Sequence, residues 1–503
     1  MIKNVLSNWT GLAVAGAFSF LLTPVMIHRL GVVYYGMWIL AASLLDYYGL
    51  IDVAMRTALF RFVARSKVAN EREALADTIS TALTIATATG LVLLVLIPLV
   101  AAILPRFFSL PSPDVYLFRW ALTLVGISLS VTMPARVLGS YLCGLGRFDL
   151  YNLSGIITVC IRGTLFLLVL QRGGGIIAIA AVAFGTALLS LLLNWRLFRY
   201  AEPDISVSWH HANWARAKQL AGFGSYAFVN LGGESLRSYT DALVIARVLT
   251  IALVTPFSVA ARLMDYFQLV MSAIASPLLT AMSELSGRSG ELKEFFLRST
   301  KYTALISIFI SSLFLFEGRA LIRIWVGPAF LTSYPIVLVL TAGYVVSFAQ
   351  FPSQMAAFAL ARHRALAFLT LAEGLVNLLL SIHWARKYGL IGVALGTMVP
   401  LLMSKICIQP WYALHILGIS GWRYVSEALW RPLLVCGLYL AASESGLFPH
   451  PNGGPMELVS AVFIHAVLFL SLTYLIGFLP SEREFLWRRS KQAAIGFRLV
   501  RAD

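Results

Sequence analysis

Six basic and six acidic residues, set in long apolar runs, are the candidates for chemistry in this 503-residue chain: Arg56, Arg136, Arg162, Arg237, Arg262 and Lys405, with Asp46, Asp52, Glu234, Asp241, Asp265 and Glu373. An ionisable side chain in a membrane span is costly unless it faces a partner or a wet cavity, so each is a functional candidate. Helical spacing sorts them. Asp52 and Arg56 are four apart and share a face; Glu234, Arg237 and Asp241 form one stripe; Arg262 and Asp265 are three apart. Such pairs either tie helices together or serve a charged cargo. Arg237 and Arg262 lie near mid-span and are the stronger cargo candidates. Arg136 and Arg162 are expected inside a helical lobe.

Glu373 lies near mid-depth and could bind a proton or Na⁺, or tie two helices by a hydrogen bond. Asp52, Glu234, Asp241 and Glu373 are together the candidates for coupling or gating. No Walker sequence, H-E-x-x-H, nucleophile elbow or paired carboxylates on a soluble loop occurs, so no catalytic residue and no metal site is expected. His383 reads as an interfacial histidine and His210-His211 as a solvated loop pair. The four cysteines form no CxxC pair, sit in apolar stretches, and are expected to be buried structural thiols.

These residues need membrane helices to position them. Charged residues make up 12% of the chain, apolar ones 59%, and the mean hydropathy is +0.81. Soluble domains carry about 25% charged residues. Without water, only helices or closed barrels satisfy the backbone, and apolar runs of about 20 residues suit helices. The net charge of +16 does not indicate nucleic acid, because the cations cluster at helix ends without a basic, aromatic-interleaved face. Fourteen spans are predicted, near 5–27, 32–60, 77–104, 115–142, 150–170, 175–198, 219–246, 250–282, 300–322, 333–361, 365–385, 389–414, 427–446 and 457–479. The first is expected to be retained rather than cleaved. With the N-terminus inside, twenty-four Lys and Arg fall on the cytoplasmic side and nine outside, which sets both termini in the cytoplasm.

Leu30 to Leu50 and Leu249 to Leu269 echo each other, with Asp46-Tyr47-Tyr48 falling on Asp265-Tyr266-Phe267. Gly185-Thr186 and Gly396-Thr397 echo likewise. The repeat divides the chain into an N-lobe of six spans (1–200), a cytoplasmic linker (201–217), a C-lobe of six spans (218–416), two further spans (417–480) and a basic cytoplasmic tail (481–503). Six spans is an even number, so the lobes should be related by a pseudo-twofold axis along the membrane normal. The tail is expected to lie along the anionic inner leaflet.

Several motifs then carry a resemblance. They are Asn8 through Thr23-Pro24 to Leu30-Gly31; Tyr35-Gly36-x-Trp38; Asp46 to Asp52; Asp241; Phe257-Ser258-Val259-Ala260-x-Arg262-Leu263; and Gly389 through Thr397. Together they resemble the polysaccharide transporter, or O-antigen flippase, branch of the multidrug/oligosaccharidyl-lipid/polysaccharide flippase superfamily, over residues 1–416. The family commonly has Gly two residues after the acid at Asp52, where this chain has Ala54. The resemblance implies a MATE-like pair of six-helix bundles around a cavity, working by alternating access in the bacterial inner membrane. It also implies undecaprenyl-diphosphate-linked oligosaccharide as cargo, for cell-surface polysaccharide biosynthesis, with glycan polymerase and glycosyltransferases as associates. Arginine suits such a cargo, because it stays protonated when buried and its fork matches phosphate oxygens. On that reading Arg56, Arg237, Arg262, Asp46 and Asp265 are the substrate-site candidates, and Tyr34, Tyr35, Trp38, Tyr47, Tyr48, Tyr226, Tyr239, Tyr266 and Gln268 offer rings and hydrogen bonds to the glycan. A cation-coupled drug exporter of the same fold is one alternative; drug cations would prefer an acidic cavity. A membrane glycan polymerase or ligase is another, and outer loops of about ten residues argue against it.

Overall fold

The computed structural model describes the backbone of residues 2–46, 49–108, 110, 112–444 and 454–484. Side chains are described for these except at 2–8, 45–46, 49–57, 112–113, 221–231, 276 and 444. Among the described residues every regular element is helical. In chain order these are α1 (Ile2–Leu30), α2 (Val32–Asp46), α3 (Gly49–Val68), α4 (Arg72–Phe107), α5 (Ser112–Gly144), α6 (Phe148–Gln171), α7 (Ile176–Ala201), α8 (Trp214–Val248) and α9 (Val254–Glu284). They continue with α10 (Ser289–Trp325), α11 (Tyr334–Ala349), α12 (Phe351–Ala359), α13 (Arg364–Met403), α14 (Gln409–Leu417), α15 (Gly421–Tyr424), α16 (Trp430–Glu444) and α17 (Pro455–Leu472).

Eleven helical stretches among the described residues are long and apolar enough to cross a membrane. The expected spans at 32–60 and 219–246 fall in part on residues 45–57 and 221–231, which lie outside the described side chains. One of the eleven, Arg364–Leu417, takes in two of the fourteen expected spans. Its helix breaks at Gly389, where φ is 61° and ψ is −136°. A side chain rarely adopts that backbone, so glycine allows the chain to turn there. Lipid-facing character is visible on α4, where Leu91, Val95 and Leu99 recur at four-residue spacing and are all exposed.

The chain packs as two compact units, divided within α9, just before α13 and near the end of α13. The first comprises Met1–Leu269 and Arg364–Pro400. In it α1 packs on α6, α5 lies against α4 and α7, and α3 lies against α8. Leu59, Ile79, Tyr141 and Phe198 form part of its dry core. The segment after α7 is pinned back onto α4. The Ser208 amide donates to Ser80 Oγ at 3.3 Å, the Asn213 amide to Thr81 Oγ1 at 3.0 Å, and His211 Nδ1 stands 3.3 Å from Asp77. Asn213 then caps α8 by accepting from the Ala215 amide. At the other end of its path α8 touches α13 through two glycines. A Cβ added to Gly374 would lie 2.7 Å from the Gly233 carbonyl oxygen, so the close approach requires glycine.

The second unit comprises Val270–His363 and Leu401–Asp503. Its α10 packs on α11, α16 and α17. Leu305, Val435, Tyr439 and Phe469 fill the space between α10, α16 and α17. Gln350 ties three elements together: its Nε2 donates to Tyr424 Oη at 2.8 Å, and its carbonyl accepts from Gln409 Nε2 at 3.0 Å. The cysteines correct the sequence reading. Cys407 is exposed and the other three are only half-buried, because their apolar stretches face outward as well as inward.

Candidate functional site

The first unit holds a cavity of about 280 Å³ between α1, α2, α6 and α9. Arg162 and Arg262 both line it, among Phe18, Tyr35, Trp38 and Phe166. Local sequence accounts for the opening. Ser19 and Thr23 face it from α1 at four-residue spacing, and Gly163 leaves the α6 backbone bare beside Phe18. Trp38 and Phe166 meet edge to face at 5.9 Å. Arg262 Nη1 reaches Asp265 at 3.4 Å, a long contact. Arg162 donates from Nε to Thr186 Oγ1 at 3.0 Å, which fixes the guanidinium on α6 against α7. Nearby, Tyr266 Oη donates to Ser19 Oγ at 3.2 Å.

A second polar centre lies where α8 meets α13. Asp241 is 6% exposed and accepts from Thr397 Oγ1 at 2.9 Å through Oδ2. Asn377 Nδ2 donates to the same hydroxyl at 2.9 Å, and Ser381 Oγ donates to Asn377 Oδ1 at 3.2 Å. Asp241 Oδ1 is buried without a hydrogen-bond partner among the described residues. Glu373 is buried one turn before Asn377. Arg237 is buried on α8, one turn before Asp241, and its Nη2 donates to Glu234, which is half-exposed. A chain of oxygens ending in one buried carboxylate suits a small hard cation or a proton. Among the described residues no three His, Cys, Asp or Glu converge as a metal site.

A third opening, of about 590 Å³, lies beside α8 and α13. Its walls are Leu236, Leu243, Val244, Leu378 and Ile382, and Arg247 and Arg386 also line it. Arg247 stacks over Phe107 at 5.0 Å.

The structure therefore brings Arg262 together with Asp265 and with Arg162, and Arg237 with Glu234. Arg237 does not line the Arg262 cavity. The side chains of Asp46, Asp52 and Arg56 lie outside the described residues. Arg162 was expected inside a lobe; its place in the cavity follows from packing of α6 on α1, which periodicity does not specify. The sequence reading names Thr397 only within the Gly396-Thr397 echo and the Gly389–Thr397 motif, and does not single out Asn377 or Ser381. Their spacing on α13 was legible, but nothing in it shows that Asp241 would face them.

These features define a polytopic helical transporter with charged centres inside its helices, and comparison with solved structures shows the same fold. The lipid II flippase MurJ, in an inward closed conformation, superposes with a TM-score of 0.70 at 13% identity, covering 94% of this chain and 98% of MurJ. An inward-facing MATE multidrug resistance transporter of the MOP superfamily gives 0.67 at 13% identity, covering 81% of this chain and 94% of that one. The chain belongs to the polysaccharide biosynthesis protein family, which matches residues 35–335. Its relatives include the membrane protein EpsK of Bacillus subtilis (strain 168), 22% identical over 82% of this chain and 83% of EpsK. A Shigella flexneri protein, named provisionally as an O-antigen transporter, is 22% identical over 81% of this chain and 97% of that protein.

Proposed function

We propose that this chain is an inner-membrane flippase that moves a polyprenyl-diphosphate-linked oligosaccharide from the inner to the outer leaflet by alternating access. The observation that carries the reading is the cavity shared by Arg162 and Arg262 among aromatic rings. Two guanidiniums suit the two phosphates of a lipid diphosphate, and Tyr35 and Trp38 offer faces to a sugar. The apolar opening beside α8 and α13 suits a hydrocarbon chain, with Arg247 and Arg386 for an anionic group. The names of the relatives, which refer to O-antigen transport and lipid II flipping, support the same class of cargo. Glycosyltransferases and a polymerase would supply and consume it.

On this reading the chain has fourteen spans with both termini cytoplasmic, and the repeat defines two lobes of six (1–200 and 218–416). Asp241, with Thr397, Asn377 and Ser381, is the coupling site, and Na⁺ fits its oxygen-rich surroundings. Asp46 and Asp265 occupy equivalent places in the two lobes. A drug exporter of the same fold is the second reading; the arginine-lined cavity disfavours cationic drugs.

The test is replacement of Arg162 and Arg262 singly by Ala, Lys and Glu, with insertion verified, followed by measurement of surface glycan and lipid-linked intermediate. The Glu variants should accumulate intermediate on the inner leaflet. Normal export by well-inserted Glu variants at both positions would reject this cargo site.

A further inference from the structure

Glu317 is not among the six acids singled out from the sequence, yet it lies in the apolar body of α10 and is 3% exposed. It faces His465 of α17, 2% exposed, with Glu317 Oε1 and His465 Nε2 3.3 Å apart. The other imidazole nitrogen, Nδ1, lies 2.6 Å from the Tyr439 hydroxyl of α16. Three helices thus each contribute one member to a line of carboxyl, imidazole and phenol. Phe316 stacks on the imidazole at 5.4 Å and 11°, and Phe469 packs against the Tyr439 ring at 5.3 Å. Glu317 Oε2 has no hydrogen-bond partner among the described residues.

Among the described side chains, the ion partner seen for Glu317 is His465. On α10, Arg319 is exposed and lies over Tyr334 at 5.0 Å, and Arg323 is exposed. On α17, Glu457 is exposed two turns away. On α16, Arg431 donates to the Ile476 and Phe478 carbonyls, and Cys436 is half-buried. No residue of α11 carries a charge; its Tyr334 and Tyr344 are the titratable groups there.

Proton counting then decides what the line can do. With one shared proton the pair is neutral overall, as acid and imidazole or as carboxylate and imidazolium. Without it, an unbalanced carboxylate is left among phenyl rings, a state that burial strongly disfavours. The phenol serves both forms: it donates to a bare Nδ1, or accepts from a protonated one. Buried acid–histidine chains suit proton relays.

We infer that Glu317, His465 and Tyr439 form a proton-binding site, holding one proton when enclosed and releasing it when water reaches the carboxyl. This makes transport sensitive to the proton gradient, a consequence that rests on the flippase reading; the proton site itself does not. It is separate from Asp241, where a cation would bind.

Infrared difference spectroscopy on the purified full chain in lipid nanodiscs, titrated between pH 9 and pH 5, reads the site directly. With the Asp241 carboxyl removed by Asp241→Asn, the chain should still gain a deuterium-sensitive band of a buried protonated carboxyl or of an imidazolium as the pH falls, and adding Glu317→Gln should abolish it. Tyr439→Phe, the mildest change, should keep the band and shift its midpoint by about one pH unit, a tenfold change in proton affinity. In cells, Glu317→Gln should export glycan at a rate unmoved by an uncoupler that slows the wild type. An Asp241→Asn chain that gains neither band, or a band that survives adding Glu317→Gln, overturns the proposal. If the band behaves as expected but cells lacking the chain accumulate no lipid-linked glycan, the proton site stands and the flippase reading fails.

Discussion

The Lys301 ammonium donates to both carboxylate oxygens of Glu482 at 2.6 Å, joining α10 to the chain just beyond the last helix. Lys301 is 1% exposed. Burial pushes the Glu482 carboxyl up, but hydrogen bonds from Lys301, the Leu479 amide and the Tyr302 hydroxyl outweigh it and hold it below the ordinary glutamate value. A depressed carboxyl stabilises the fold above its unfolded pKa, and that contribution disappears as pH falls through the folded value. Unfolding in mild detergent should therefore become easier below about pH 4.5, the ordinary value. Glu482→Gln should flatten that dependence and cost about 3 kcal/mol at neutral pH, because it strands a buried ammonium. An unchanged thermal midpoint in Glu482→Gln would contradict this.

If the Arg262 cavity holds the proposed cargo, Arg162 and Arg136 should respond differently to replacement. Arg162 lines the Arg262 cavity and Arg136 does not. A hydrogen bond to a charged group contributes about 1.5–3 kcal/mol, so Arg162→Gln should weaken cargo binding roughly ten- to a hundredfold. Thr186→Val frees the Arg162 guanidinium without removing it and should give a smaller loss. Binding of a synthetic polyprenyl diphosphate to the purified variants, read by native mass spectrometry, checks both.

Asp241 should govern the ion response. Asp241→Asn keeps the hydrogen bond from Thr397 but removes the charge, so stimulation of transport by Na⁺ should be lost. Thr397→Val should weaken the ion response by about tenfold through one lost oxygen ligand. Proteoliposome transport across a Na⁺ gradient measures this. A sodium response that persists in Asp241→Asn would move the ion elsewhere.

Topology follows from the distribution of Lys and Arg. Reporters fused after Arg72 or Lys218 should read cytoplasmic, and reporters near Ser112 or Asn452 should read outside. An external signal at Lys218 would break the two-lobe reading.

The membrane helices were legible because lipid demands long apolar runs, and α4, α6, α7 and α17 carry them plainly. The partnerships of the charged groups were legible only within a helix, where spacing fixes them: Glu234 with Arg237 and Arg262 with Asp265 both appear. Contacts between helices were not. Nothing local places Thr397 on Asp241, 156 residues earlier, or Arg162 beside Arg262. Glu317 and His465 are each one polar residue in an apolar run, and their meaning comes from facing each other.

Where α8 crosses α13, two bare backbones meet at Gly233 and Gly374. So close an approach would act as a fulcrum: rocking of α8 about it would be opposed by the Asp241–Thr397 bond farther along, while sliding would drive Leu236 and Thr370 into the opposite chain. Asp241 lies eight residues from the fulcrum, roughly 12 Å along the helix axis. A rocking of about 10° would carry its carboxylate about 2 Å, comparable to a metal–oxygen distance. Small rotations at two glycines would thus suffice to break the Asp241–Thr397 hydrogen bond a dozen ångströms away.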